Sequence, residues 1–349
     1  MRAVKLGGYP VGPGERPFVI AEMSGNHNGS LDRALAIVDA IAASGAQAIK
    51  LQTYRPDTIT IDADGPRFRI SDGHDLWGGE RLWQLYERAH TPWEWHGPIF
   101  ERARSHGLVP FSSPFDPTAI DLLESLDAPI YKIASSELVD LPLIRLAAGT
   151  GKPLIISTGM GTVAEIAAAV CAAREAGCVD LVVLACTASY PAPAADSNLR
   201  RIPVLADLFD VVVGLSDHTP GLGAALASVA LGARVIEKHV TLDRADGGVD
   251  SSFSLNPTEL GALVVESERA WAALGGVRIG PTEAEREGLR FRRSLFVVRD
   301  VRAGEAVSPD NVRSIRPAGG LAPDTFATVE GRIFRTDVPR GTPLTWELI

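Results

Sequence analysis

Val211-Val212-Val213-Gly214-Leu215-Ser216-Asp217-His218-Thr219 and Arg234-Val235-Ile236-Glu237-Lys238-His239 decide how this chain folds. Each is an apolar run that closes on a histidine, and each reads as a buried parallel strand. Side chains alternate faces along a strand, so Ser216 and His218 point one way, as do Glu237 and His239. In one parallel sheet both imidazoles then emerge at the same end. Two converging histidines beside a carboxylate suit a divalent metal and mark the chain as an enzyme. The competing reading is two unrelated histidines, each satisfied by backbone groups.

The same alternation extends outward from these two runs. Apolar, β-branched segments recur at 18–23, 48–53, 109–114, 130–135, 153–159, 181–186, 211–217 and 234–239. Helical spacing fills the stretches between, for example 30–44, 91–106, 117–126, 162–176, 220–231 and 256–274. Ser30, Thr91-Pro92, Asp116-Pro117 and Thr162 with Glu165 supply helix starts, and Gly45, Gly107, Gly177 and Gly232 supply stops. Eight such units over about 275 residues predict an α/β fold, a (β/α)8 TIM barrel, whose typical size is about 250 residues. A doubly wound open sheet is the alternative, but Ser24-Gly25-Asn26-His27-Asn28-Gly29 lacks the spacing of a dinucleotide loop. The connection 54–90, with Trp77, Gly78, Gly79 and Trp83, is longer than a turn needs and is expected to shape a substrate site.

The barrel is expected over 1–276, followed by a charged linker at 277–292. Short strands and turns from 293 to 349 form a β-rich module of about 57 residues, too small to hold a catalytic pocket of its own and suited to an accessory or dimerisation role. The chain has 349 residues, 46% of them hydrophobic, which is enough for one large domain and a small one. It shows no membrane-length apolar run and no basic-then-apolar leader, so a cytoplasmic protein with no membrane partner is expected. Cys171, Cys178 and Cys186 are odd in number, lack metal spacing, and read as small buried residues in a reducing compartment. A net charge of −9 argues against nucleic acid as a partner and requires local cations to meet any anionic substrate.

The site of such a barrel lies at the C-terminal ends of its strands. The polar residues there are Glu22 followed by Asn26 and Asn28; Lys50 and Gln52; Ser112 and Ser113; and Lys132 with Ser135 and Ser136. Ser157 and Thr158, Thr187 and Tyr190, Ser216 to His218, and Glu237 to His239 complete the circle. A barrel core is built of Val, Ile and Leu, so Lys50 and Lys132 are costly unless an anion sits over the mouth. Hydroxyls at Ser135, Ser157 and Ser216 suit phosphate oxygens. Three chemistries stay open: carbon–carbon bond formation by a phosphorylated enol, metal-assisted phosphoester hydrolysis, and a Schiff-base aldolase on Lys50 or Lys132. A sugar-binding sensor without catalysis is the remaining class, and it has no need of a metal pair. His74, His90, His96 and His106 read as surface or capping residues, while Asn26 and His27 sit in a loop that looks substrate-facing.

The strings Ile20-Ala21-Glu22-Met23-Ser24-Gly25-Asn26-His27-Asn28-Gly29, Lys50-Leu51-Gln52-Thr53-Tyr54, Tyr131-Lys132-Ile133-Ala134-Ser135 and Gly214-Leu215-Ser216-Asp217-His218-Thr219 resemble the sialic acid synthases. Those enzymes condense phosphoenolpyruvate with an N-acetylated hexose to give a nine-carbon 2-keto-3-deoxy acid. The resemblance covers nearly the whole chain, and the C-terminal module is similar to the family's antifreeze-like or SAF domain. Met23-Ser24-Gly25, Gln52-Thr53-Tyr54, the segments 85–87 and 91–96, and Ser112-Ser113-Pro114-Phe115 resemble the pseudaminic acid branch, whose sugar is 2,4-diacetamido-2,4,6-trideoxy-altrose. Ala188 stands where the neuraminate branch usually has asparagine. Synthesis of N-acetylneuraminate or legionaminic acid from a mannose-type sugar is the alternative.

Carried over by position, the resemblance implies that His218 and His239 hold a divalent metal, manganese first, with magnesium or cobalt as substitutes. Phosphoenolpyruvate would lie against Lys50, Lys132, Ser135, Ser157 and Ser216, and Glu22 would face the reacting carbon of the sugar. Gln52, Tyr190, Glu237 and Asp250 would lie nearby, with Glu22, Lys50, Lys132 and Glu237 forming the catalytic set. The match of Ile315-Arg316-Pro317 implies that Arg316 enters the partner's site in a domain-swapped homodimer.

Overall fold

The computed structural model describes residues 2–71 and 76–349, and His74 lies outside them. The chain divides into two units, Met1–Gly275 and Gly276–Ile349. The first opens with an antiparallel hairpin, β1 (Val4–Leu6) and β2 (Tyr9–Val11). Gly7 and Gly8 turn it with φ of 55° and 95°, the positive values that a tight two-residue hairpin demands. The eight-strand pattern does not include this hairpin, although Gly-Gly between two short alternating runs is a hairpin signal.

Eight parallel strands follow: β3 (Phe18–Glu22), β4 (Ala48–Thr53), β5 (Val109–Pro114), β6 (Tyr131–Ile133), β7 (Leu154–Ser157), β8 (Leu181–Cys186), β9 (Val212–Asp217) and β10 (Val235–His239). They close into a barrel in chain order, with β10 paired to β3. Between and after them run α1 (Leu31–Ser44), the single turn α2 (Pro56–Ile59), α3 (Leu82–Ala89), α4 (Trp93–Ser105), α5 (Pro117–Ser125), α6 (Leu141–Gly149), α7 (Val163–Glu175), α8 (Arg201–Phe209), α9 (Gly223–Ala230) and α10 (Pro257–Leu274). The caps act as their residue types predict. Ser30 Oγ accepts from the Arg33 N–H, Asp116 from the Thr118 N–H, and Thr162 and Glu165 cap one another. Helix α4 departs from expectation, because Pro92 is extended (ψ 135°) and occupies the N-cap itself. Thr91 is therefore buried outside the helix, not its cap.

Strand alternation sorts the barrel into two layers. Phe18, Ile20, Ala48, Val109, Phe111, Ile155, Val182, Leu184, Val212 and Val235 face inward, packed with Val4, Leu6 and Val11 of the hairpin. The hairpin thus plugs the N-terminal end. Their neighbours Val19, Ala21, Ile49, Leu51, Ile156, Val183, Val213, Leu215 and Ile236 pack outward under the helices. Continuing the inward parity toward the C-terminal end brings up Glu22, Lys50, Gln52, Lys132, Ser157, Ser216 and Glu237. An apolar plug below and a polar layer above is what the pleat requires of these sequences.

Two devices fix the strands that carry the histidines. Gly214 lets β9 and β10 approach closely, since a Cβ there would lie 2.2 Å from the Val235 carbonyl oxygen and 2.6 Å from Leu184. On the outward face Lys238 Nζ pairs with Asp217 Oδ2 at 2.9 Å, both buried. The Lys238 ammonium also donates to the Thr219 carbonyl, and the Thr219 N–H donates to Asp217 Oδ1 at 2.9 Å. This clamp holds the turn that follows β9, where His218 lies.

The second unit has its own core of Leu295, Val297, Val301, Val312, Val329, Phe334, Val338 and Leu344 around β11 (Ser294–Val297) and β12 (Val312–Ile315). Residues 277–292 group with this unit and carry two short 3-10 turns, Glu283–Glu285 and Glu287–Phe291. Among the described residues no helix is long and apolar enough to cross a membrane.

The clamp predicts an asymmetry. Lys238→Met strands the buried Asp217 carboxylate and should cost about 3–5 kcal/mol in urea unfolding, whereas Asp217→Leu combined with Lys238→Met should cost less than the single change. Equal losses in the two variants would show that the pair does not act as a unit.

Candidate active site

The polar layer is built from four charges. Lys50 Nζ contacts Glu22 Oε2 at 2.6 Å and lies 3.8 Å from Glu237 Oε1, while Lys132 Nζ lies 3.7 Å from that same Glu237 oxygen. All four side chains are almost wholly buried. Burial works against both ammonium groups. For Lys50 the two carboxylates outweigh it and raise the pKa above the ordinary lysine value. For Lys132 burial wins and the pKa falls, because Glu237 is shared and Lys50 adds repulsion. Burial also opposes the Glu237 carboxylate, but Lys132 and Lys50 overcome it and hold its pKa low. Lys132 is therefore the less neutralised cation of the layer.

Hydroxyls and amides surround these charges. Ser216 Oγ donates to Glu237 Oε1 at 3.0 Å, and Lys50 Nζ reaches Ser113 Oγ at 3.4 Å. Ser157 Oγ is buried with no hydrogen-bond partner, and Ser135 Oγ accepts from the Gly159 N–H at 3.0 Å. Gln52 Nε2 donates to Glu22 Oε1 at 3.1 Å and to Ser24 Oγ at 3.2 Å. Ser24 in turn donates to Asp250, whose Oδ2 lies 3.4 Å from His239 Nδ1. A continuous polar chain thus runs from the lysines to the imidazoles.

His218 and His239 meet as the alternation predicts, with ring centroids 5.2 Å apart. His218 Nδ1 donates to the Thr187 carbonyl at 3.0 Å, so Nε2 is the nitrogen open to a metal when the ring is neutral. His239 Nδ1 is buried and faces Asp250 Oδ2 at 3.4 Å. Tyr190 lies 4.4 Å from His218, and Phe253 lies 5.1 Å from His239, so aromatic rings brace both imidazoles. Among the described residues no group of three or more His, Cys, Asp and Glu side chains is arranged around a metal position. Two imidazoles this close could still hold a divalent ion whose other ligands are substrate and water oxygens.

A cavity of about 410 Å³ opens beside His239 and Asp250. Tyr54, Ile70, Trp77, Leu82, Leu85 and Tyr86, all from the connection 54–90, form much of its wall, so that long segment does shape the pocket. Tyr190, Ser135, Gln52 and Ser24 also line it, and Glu137 joins them from the 3-10 turn Ser135–Val139. Glu137 was not legible as a site residue, since an acid two positions past a strand-end serine reads as turn solvation. Ser24 was hidden in the same way, as the residue that turns the chain after β3 with φ of 48°.

Several expected positions fall elsewhere. Asn26 is fully buried and donates to the Val240 carbonyl at 2.8 Å and to Ser254 Oγ at 2.9 Å, so it ties down the chain after β10 and is not on the cavity wall. His27 is buried edge-on against Trp95, accepts from the Gly29 N–H, and is held to a pKa of about 4, chiefly by burial. His96 is neither a surface nor a capping residue. It is buried on the inner face of α4 with Nε2 2.8 Å from Thr53 Oγ1, and burial lowers its pKa to about 4. The series His96, Ile99, Phe100, Ala103 has helical core spacing, a signal that was available in the sequence. His90 and His106 do lie near the surface, bonded to the Glu87 carbonyl and to Asp39. Cys171 is exposed, unlike the buried Cys178 and Cys186. Cys186 Sγ lies 3.9 Å from His218 Nδ1. Arg316 is exposed in the second unit, just after β12.

Residues 37–278 match the NeuB family, and residues 292–349 match the SAF domain. The chain is 42% identical over 330 residues to the pseudaminic acid synthase of Campylobacter jejuni (strain 81-176), covering 95% of this chain and 96% of that one. It is 40% identical to the pseudaminic acid synthase of Helicobacter pylori, with 94% and 96% covered. Among solved structures it is similar to an N-acetylneuraminic acid (sialic acid) synthetase from Leptospira borgpetersenii, with a TM-score of 0.72 and 32% identity over 82% of this chain and 95% of that one. The inward lysines, the facing imidazoles and these matches along nearly the full length agree: the chain belongs to the NeuB family.

Proposed function

We propose that this protein condenses phosphoenolpyruvate with 2,4-diacetamido-2,4,6-trideoxy-altrose and water, yielding pseudaminic acid and phosphate. The observation that carries the reading is the pair of buried lysines, Lys50 and Lys132, one layer below two facing imidazoles. An acidic protein keeps two ammonium groups in a barrel core where an anion is to meet them. Phosphoenolpyruvate offers a carboxylate and a phosphate, and Lys132, with its incomplete countercharge, gains most from them. Ser135, Ser157 and Ser216 bring hydroxyls to the phosphate oxygens.

His218 and His239 would hold the divalent cation, manganese first, then magnesium or cobalt. Bound there, such an ion supplies Lewis-acid polarisation of the sugar carbonyl. The rest is done by the chain's own groups. Lys50 and Lys132 orient the enol so that its C3 attacks the aldehyde carbon and a carbon–carbon bond forms. Positive charge at C2 takes up water, the bond from C2 to the phosphate oxygen breaks, and phosphate leaves. Glu22, held by Lys50 and Gln52, takes the proton of that water and passes it to the former aldehyde oxygen, a role worth about 10²–10⁴-fold, while the new C2 hydroxyl gives its proton to the departing phosphate as the ketone forms. Glu237 keeps both ammonium groups in place, and Asp250 positions His239.

The sugar choice rests on the wall of Tyr54, Ile70, Trp77, Leu82, Leu85 and Tyr86. Apolar surface favours a trideoxy sugar with two acetamido methyls over one carrying more hydroxyls. Arg316, exposed in the SAF unit, would contact the N-acyl group in the site of a partner copy, making the working form a domain-swapped homodimer. Three free cysteines suit a cytoplasmic setting.

Phosphate release with Mn2+ should be at least about tenfold faster in kcat/KM with the diacetamido sugar than with N-acetylmannosamine. It should vanish in excess chelator, and in His218→Ala and His239→Ala, with the far-UV spectrum intact. Preference for the mannose-type sugar would move the reading to a neuraminate or legionaminate synthase, and full activity in chelator would remove the metal. Arg316→Ala should lose activity, and mixing it with Glu22→Ala should restore part through hybrid dimers. No recovery after verified subunit exchange would refute the shared site.

A further inference from the structure

We infer that Glu137 is a specificity residue for the sugar, its Oε2 accepting the N–H of the second acetamido group. This deepens the proposed function and rests on it. Glu137 lies in the 3-10 turn that follows β6, two residues after Ser135, and its side chain lines the cavity with Met160 and Tyr86. It takes no part in the four-charge layer. Its Oε2 is buried and has no hydrogen-bond partner. A carboxylate oxygen left so costs more than an ordinary unpaired polar atom, so a donor from a ligand would relieve that cost.

The surroundings narrow the class of donor. Leu85, Phe115, Met160 and Tyr86 share the cavity wall with Glu137, alongside Ser135 and Ser136, so apolar surface and this acceptor lie in one pocket. A secondary amide fits such a place, because it brings a single N–H next to a methyl group. A cluster of hydroxyls would leave donors unpaired against the rings. The acetamido group that distinguishes a diacetamido sugar from a mono-acetamido one is the group this arrangement reads.

Titration gives a second handle. Burial pushes the Glu137 carboxyl up to about 7, with Lys132 pulling it down and Asp140 pushing it further up. Tyr86, the other titratable group facing it, stays neutral, since burial and then Glu137 raise its pKa. Below about 7 the protonated acid is the poorer acceptor, so the KM for the sugar should rise as pH falls through that value.

The test is steady-state kinetics of the full-length, Mn2+-loaded enzyme and of Glu137→Gln, with phosphoenolpyruvate and either the diacetamido sugar or N-acetylmannosamine. Glu137→Gln preserves shape, and its unfolding midpoint checks the fold. The expected result is a KM for the diacetamido sugar raised about ten- to a hundredfold, with the KM for phosphoenolpyruvate unchanged, a smaller effect on N-acetylmannosamine, and a flattened pH profile of the sugar KM. An unchanged sugar KM overturns the inference. An equal rise in both KM values also overturns it, by showing that Glu137 acts through Lys132. Wild-type enzyme that turns over neither sugar defeats the proposed function itself, a different outcome from turnover that ignores Glu137.

Discussion

The contact of Lys50 with Glu22, extended through Glu237 to Lys132, is the interaction on which the rest of the molecule depends. Four charges occupy the layer where a barrel would otherwise place Val, Ile or Leu. Each would be prohibitive alone, and the set is tolerable because two carboxylates are shared between two ammonium groups. The sharing is uneven. Lys50 has Glu22 nearly to itself, whereas Lys132 has only part of Glu237. That imbalance makes Lys132 the ammonium with most to gain from a further anion, in a protein whose net charge is −9. An anionic substrate is drawn to the one place where its charge is needed.

Holding such a layer in register demands rigidity around it. The hairpin below supplies apolar packing at the N-terminal end, so the charged layer rests on a filled core. Gly214 allows the close approach of β9 and β10, and the Asp217–Lys238 pair locks their ends from the outside. The same two strands therefore carry opposite tasks on opposite faces: chemistry inside, bracing outside. Their one-residue offset is the pleat itself.

Much of this was legible in the sequence. The eight apolar runs and the inward parity of Lys50, Gln52, Glu237 and His239 follow from period-2 alternation, which a buried parallel sheet obeys strictly. What was not legible depends on tertiary contact. Asn26 looks substrate-facing from its polar neighbours, yet its amide nitrogen is spent on Val240 and Ser254, more than two hundred residues away in the chain. Glu137 and Ser24 face the cavity only because the turns after β6 and β3 bend them there, and turns carry no period. His96 is the opposite case, since its spacing with Ile99 and Phe100 announced a core position that its polarity concealed. The hairpin at Gly7-Gly8 was announced by local chemistry, but its role as a plug appears only once the barrel is closed.

The bond that breaks when phosphate leaves distinguishes condensation from hydrolysis at this site. Phosphoenolpyruvate, the diacetamido sugar and the Mn2+-loaded enzyme should be incubated in water enriched in heavy oxygen, and both products examined by mass spectrometry. Condensation at a lysine-held enol predicts the label at C2 of the sugar acid and none in the phosphate. Label in the phosphate, with no new carbon–carbon bond, would make the site a hydrolase and contradict condensation.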